Sequence, residues 1–229
     1  THEDHKARLA IIRDLERELD HPVGVIADLQ GPKLRIGKFR GGQIEITEGQ
    51  KIRLDLDPAE GDVTRVNLPH PEIIAAMKPG EDILLDDGKV RMTVCDRGEG
   101  FLVAEVRAGS VLKDKKGFNI PGVILPIDPL PPKDRADLAT ALEMDVDWIA
   151  QSFVQSADDV RQARDLIAGR AGLIAKIEKP SALEHLDAII ELADGIMLAR
   201  GDLGVEIPPE DVPAVQKRVV RKVAEMAGG

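Results

Sequence analysis

Ala175-Lys176-Ile177-Glu178-Lys179 and, one helical pattern further on, Ala199-Arg200-Gly201-Asp202-Leu203-Gly204 are the stretches on which the fold turns. Each follows a short apolar run that reads as a buried strand, at residues 173–177 and 195–199. Residues 180–192 between them read as a helix. Two strands joined by a helix are parallel, so both stretches leave the same side of one sheet. That expectation gathers Lys176, Glu178 and Asp202 at the strand ends where α/β folds keep their chemistry. Lys176 and Glu178 are two positions apart and share a strand face. An ordinary Lys176–Glu178 ion pair would explain those two residues equally well. A lysine beside two carboxylates also suits a divalent metal and an anionic, oxygen-rich substrate.

Outward from this pair the same rhythm recurs. Residues 132–144 read as a helix and 146–150 as a strand. Ser156-Ala157-Asp158-Asp159 reads as a capping box that opens a helix to about Ala168, with Asp in the place of Glu. Residues 212–227 form a last helix with Pro213 near its start, and Gly228-Gly229 reads as its cap. At the other end, apolar residues Leu9, Ile12, Leu15 and Leu19 have helical spacing, and 23–29 read as a strand ending in Asp28. Strand ends carrying Asp28, Gln151-Ser152-Phe153, Lys176 with Glu178, and Asp202 favour a barrel over a doubly wound sheet. A barrel collects polar groups from every strand at one rim.

The stretch from Lys33 to about Asn119 is different. Runs at 43–47, 51–56, 90–94 and 101–106 alternate apolar and polar residues and are separated by turns such as Arg40-Gly41-Gly42 and Asp86-Asp87-Gly88. This reads as an all-β module inserted after the first strand. Its two connections must lie close together, which would bring Arg35 and Lys116 near each other. The expected fold is therefore α/β: a partial (β/α)₈ TIM barrel from 1–32 and 119–229, with an inserted β-rich lid domain at 33–118. Both ends read as cuts through a larger barrel.

Bulk properties narrow the function. A net charge of −10 disfavours a general nucleic-acid binder. One cysteine, Cys95, excludes an intrachain disulfide and fits a reducing compartment, so cytoplasmic is the expectation. No apolar run approaches a membrane span. Cys95 lies in an alternating strand and reads as packing. The five histidines show no metal spacing, and no Walker loop or G-x-G-x-x-G is present.

Five segments together strongly resemble the pyruvate kinase family, in that family's order: Asp28-Leu29-Gln30-Gly31-Pro32-Lys33-Leu34-Arg35, Leu85-Asp86-Asp87-Gly88, Lys115-Lys116-Gly117-Phe118-Asn119-Ile120-Pro121-Gly122, Ala175-Lys176-Ile177-Glu178-Lys179, and Met197 through Glu206. The resemblance implies phosphoryl transfer from phosphoenolpyruvate to ADP, giving pyruvate and ATP, in a full-length enzyme that is a homo-oligomer. It implies Lys176 as the lysine facing the enolate and Glu178 and Asp202 as ligands of Mg²⁺ (or Mn²⁺). Gly201 and Asp202 would bind the substrate carboxylate, and Arg35 and Lys116 the nucleotide phosphates. Asp28 with the Leu29 carbonyl would form the monovalent-cation site. Members with Glu at the position of Lys33 need K⁺ and those with Lys do not, so K⁺ is expected to be replaced here by Lys33. The resemblance covers the middle of the family, about half the barrel plus the lid, and the segment alone is expected to be inactive. Two other readings stand beside it: a metal-dependent barrel aldolase or lyase acting on pyruvate-like substrates, and a non-catalytic folded remnant.

Overall fold

A computed structural model describes residues 1–227; the expected cap at Gly228-Gly229 lies outside them. The chain opens with α1 (His2–Leu19) and β1 (Ile26–Asp28). There follow β2 (Gln43–Glu45), β3 (Lys51–Asp55), β4 (Arg65–Asn67), α2 (Pro71–Ala76), β5 (Asp82–Leu85), β6 (Val90–Gly98), β7 (Phe101–Ala108), β8 (Val111–Lys113) and β9 (Phe118–Asn119). The remainder is α3 (Pro132–Glu143), β10 (Trp148–Gln151), α4 (Ala157–Ile167), β11 (Gly172–Ile177), α5 (Pro180–Glu184), α6 (Leu186–Leu192), β12 (Gly195–Leu198), α7 (Arg200–Glu206) and α8 (Val212–Ala227). Contacts divide the chain into two compact units. The first holds Thr1–Pro32, Asp128–Ala199 and the chain from Pro213; the second holds Lys33–Ile127 and Arg200–Val212.

In the first unit β1, β10, β11 and β12 form one parallel sheet in that order. Each strand pairs with the next along the unit and the order never reverses, which is the winding of a barrel and not of a doubly wound sheet. On β11, Leu173, Ala175 and Ile177 are buried on one face, while Ile174 and Lys176 face the other. The buried face lies towards α4, whose Val160, Ala163 and Ile167 are buried in turn. Gly172 starts β11 because a Cβ there would come within 2.4 Å of the Trp148 ring. The α4 capping box forms as read: the Ser156 N–H donates to the Asp159 carboxylate at 3.0 Å.

Several elements differ from the reading of the sequence. The helix expected at 180–192 is two helices, because the backbone at His185 (φ −106°, ψ 18°) leaves the helical region. The segment from Arg200 is helical, which glycines at 201 and 204 concealed.

The second unit contains a six-stranded sheet in the order β4-β3-β7-β6-β5-β9 and a β2–β8 pair. It is not all β: α2 begins at Pro71 and buries Ile73 and Ile74. Residues 86–89 close the β5–β6 hairpin with positive φ at Asp86, Asp87 and Gly88, the geometry that Asp and Gly tolerate. Cys95 is exposed, correcting its reading as a packing residue. Val90, Met92 and Val94 are the buried face of β6, and Cys95 falls with Arg91 and Thr93 on the outer one, its thiol against the Val103 carbonyl. Among the described residues no helix is long and apolar enough to cross a membrane.

Candidate active site

Strand register assembles the first unit's polar cluster. Ala150 on β10 pairs with Asp28 on β1 and with Ile174 on β11. Ser152 and Lys176 each lie two residues beyond that level, on one face by the two-residue period of a strand. The Lys176 side chain meets all its neighbours: Nζ donates to Ser152 Oγ at 2.8 Å and to the two Asp28 oxygens at 3.1 and 3.2 Å. It also pairs with Glu178 Oε1 at 3.0 Å. The Lys176–Glu178 ion pair read from the sequence is therefore present, within a cluster completed by Asp28 and Ser152. Lys176 and Glu178 are largely buried, whereas Asp28 keeps half its side chain open to solvent.

Burial of the Lys176 ammonium works against its charge, but Glu178 and Asp28 beside it outweigh that, and its pKa is raised. Lys176 is therefore a permanent cation near neutral pH. Two carboxylates around one ammonium leave the cluster with net negative charge, a setting that favours an added cation.

The backbone braces this cluster. Phe153 N–H donates to Glu178 Oε2 at 3.0 Å, so different partners hold the two carboxylate oxygens. Phe153 sits at φ +63°, unusual for a bulky residue, and the Lys179 ammonium lies 4.7 Å from the centre of its ring. Gly31, at φ +70°, passes close by; a Cβ there would lie 3.1 Å from Phe153 Cβ. The Gly31 N–H is held by Asp134 Oδ2 at 2.6 Å. Asp134 is 1% exposed, and that burial raises its pKa. Asp134 lies in the first turn of α3 and is not among the residues singled out from the sequence, because its contact with Gly31 spans 103 positions. Ser152 was visible as a polar strand end, but its bond to Lys176 required the register.

Other candidates lie in the second unit. The chain runs antiparallel to itself at Arg35 and Gly117, so the two connections do meet. Arg35 Nη1 donates to the Lys115 carbonyl at 2.8 Å, and Lys116 Nζ pairs with Asp86 Oδ1 at 2.8 Å. That ammonium holds the Asp86 carboxyl below its usual pKa. Lys33 is exposed. Gly201 and Asp202 fall in the first turn of α7 and are exposed; a Cβ at Gly201 would meet no atom within 4 Å. Back in the first unit, Leu29 is buried and donates its N–H to the Ala150 carbonyl at 2.9 Å.

The chain matches the pyruvate kinase barrel-domain family over residues 1–228. It belongs to the pyruvate kinase family. A pyruvate kinase of Agrobacterium vitis is 52% identical over 221 residues, covering 96% of this chain and 46% of the relative. One from Methylorubrum extorquens is 51% identical over 214 residues, covering 93% of this chain and 45% of the relative. The crystal structure of a pyruvate kinase from Cryptosporidium parvum superposes with a TM-score of 0.92 at 32% identity, covering 97% of this chain and 48% of that one. The chain thus spans about half the length of the pyruvate kinases it matches.

Glu178 in the first unit and Asp202 in the second each carry carboxylate oxygens, the hard donors that Mg²⁺ and Mn²⁺ take. Among the described residues no three metal-binding side chains cluster. Mg²⁺ is commonly held by one or two carboxylates with substrate oxygens and water, and so needs no larger cluster of protein ligands.

Proposed function

We propose that this chain carries the phosphoryl-transfer chemistry of a pyruvate kinase, acting on phosphoenolpyruvate and ADP in glycolysis. The observation that carries the reading is the Lys176 ammonium, fixed by Asp28, Ser152 and Glu178 at the ends of adjacent parallel strands.

In the reaction the bond between phosphorus and the enol oxygen breaks, its electron pair stays on that oxygen, and a β-phosphate oxygen of ADP forms the new bond to phosphorus. Protonation of the enolate carbon then gives pyruvate. Little covalent work is asked of the protein; it must position groups and balance charge. Lys176 supplies a fixed positive charge for the enolate oxygen. Such preorganised stabilisation is worth on the order of 10²–10³ in rate. Asp28 and Ser152 aim the ammonium, and Phe153 N–H fixes the Glu178 carboxylate. Glu178 and Asp202 would hold Mg²⁺ (or Mn²⁺), which when bound neutralises phosphoryl charge and acts as a Lewis acid. Gly201 leaves room for a substrate carboxylate. Arg35 and Lys116 would take the nucleotide phosphates, Lys116 exchanging Asp86 for ATP or ADP oxygens.

For the monovalent cation, the Lys33 ammonium would replace K⁺ beside Asp28 and the Leu29 carbonyl. Turnover at full natural length should then proceed in K⁺-free buffer, and Lys33→Glu should create a K⁺ requirement. Strong stimulation of the unaltered enzyme by K⁺ would show that Lys33 has no such part.

A coupled assay of pyruvate formation on the protein at full natural length tests the function itself. Metal-dependent turnover is expected, and its loss in Glu178→Gln or Asp202→Asn with the fold intact. Near-normal activity and unchanged metal dependence in both variants would contradict the ligand assignment; no pyruvate from the parent protein would contradict the function.

A further inference from the structure

Apart from the cluster at Lys176, the first unit has a groove of about 450 Å³ between α6 and α8. Four cations line it, Lys217, Arg218, Arg221 and Lys222, with the carboxylates of Asp187 and Glu225. All are outside the proposed catalytic machinery. We propose that this groove is a binding site for a small, soluble, phosphate-bearing molecule. The inference does not rest on the kinase reading.

Three observations carry it. The first is the arrangement of charge along α8. Lys217 and Arg221, and Arg218 and Lys222, are like-charged pairs four residues apart, and Arg218 and Arg221 lie three apart. Such pairs are neighbours on a helix surface and repel one another, so they work against the helix that carries them. Arg218 accordingly opposes the charge on Lys222, which Asp187 supports. A dianion in the groove would turn this repulsion into attraction.

The second is that the cations are only partly satisfied. Lys222 Nζ pairs with Asp187 at 2.9 Å, and Arg218 Nη2 donates to the Leu183 carbonyl at 3.1 Å. Lys217 and Arg221 are exposed, and among the described residues neither has a carboxylate partner. The Arg218 bond ties that guanidinium to the α5 end of the groove, while Arg221 keeps its whole donor fork, whose geometry matches phosphate oxygens.

The third is size. From residue 217 to 222 a helix rises about 8 Å, roughly the span of a phosphate or diphosphate and much shorter than a nucleic-acid tract. The volume falls within the usual range of small-molecule sites. Asp187 and Glu225 at the borders would repel a longer polyanion. In a chain of net charge −10, a local group of four cations also draws anions to one place instead of to the surface at large.

Isothermal titration of inorganic phosphate and of pyrophosphate, in EDTA and low salt, into the protein at full natural length tests the proposal. EDTA removes binding that depends on a divalent metal elsewhere. Lys217→Glu/Arg221→Glu should weaken pyrophosphate binding at least 10-fold and leave pyruvate-forming activity unchanged without ligand. Arg161→Glu on α4 should bind as the parent does. Added NaCl should weaken the parent's binding and hardly affect the double variant. If the charge reversal does not fold, Lys217→Gln/Arg221→Gln gives the same comparison with smaller loss. Identical isotherms for parent and variant would overturn the proposal. So would the absence of pyrophosphate binding by the parent, including the case in which it binds a DNA duplex or phosphatidylserine vesicles instead.

Discussion

Lys176 and Asp134 show two opposite uses of burial. Lys176 is buried beside opposite charge, so its raised pKa reflects stabilisation of the charged form by Glu178 and Asp28. The sign follows: the contribution to stability is fully present below the lysine's unfolded pKa and is lost as pH rises through the higher folded value. Asp134 is buried beside backbone N–H, and there desolvation wins. Its folded pKa is raised, so it favours the folded state most at acidic pH, and this contribution is lost as pH rises through the folded value. Asp134→Asn keeps an acceptor for Gly31 without the charge and should be neutral or stabilising at pH 7. Asp134→Ala leaves the Gly31 N–H unpaired and should cost about 1–3 kcal/mol. Thermal melts of both variants check this; an equal loss in both would mean that the charge itself is needed. The Lys176–Glu178 pair was legible from a spacing of two residues. Asp134, Ser152 and Phe153 act across the sheet, and no local pattern in the sequence encodes such contacts.

Elements with strong local chemistry were legible and those set by tertiary contacts were not. Ser156 and Asp159 announce α4, and the bonds form as the pattern requires. Removing the cap with Ser156→Ala should cost about 0.5–2 kcal/mol, read as a lower midpoint in chemical denaturation; no change would mean that the packing of Val160, Ala163 and Ile167 alone sets the helix. By contrast α7 contains two glycines, poor helix formers, yet is helical with Leu203 fully buried and Glu206 holding Asn119 at 3.0 Å. The helix at 180–192 breaks at His185, where neither Gly nor Pro marks the site in the sequence. In the second unit, alternation found β2, β3, β6 and β7 but not β4, β5, β8, β9 or α2. The missed strands have 3, 4, 3 and 2 residues, too few for a period to show, whereas β2 lies in an alternating run that extends to Thr47.

At the scale of the whole molecule, the order β1-β10-β11-β12 was readable because parallel strands joined by helices admit few arrangements. The sheet's end strands follow from the same order. Among the described residues β1 and β12 each pair on one side only, and Ile26 on β1 and Val23 before it are exposed. A cleft of about 740 Å³ beside β1 has an apolar floor of Leu9, Ile12, Leu29 and Val146. Unpaired strand edges beside apolar surface promote association. The 229-residue chain on its own should therefore self-associate, bind hydrophobic dyes and form no pyruvate. A monomer in sedimentation with one cooperative melt and measurable turnover would refute this.

The central claim is that Lys176 stabilises charge that develops during phosphoryl transfer, and steady-state kinetics of Lys176→Met in the protein at full natural length test it most directly. A group that acts on the transition state alone changes kcat and leaves substrate affinity nearly intact. The account predicts a fall in kcat on the order of 10²–10³-fold, with KM for phosphoenolpyruvate changed by no more than a few-fold. A large rise in KM with kcat preserved would contradict it, and would make Lys176 a substrate-binding residue and no more.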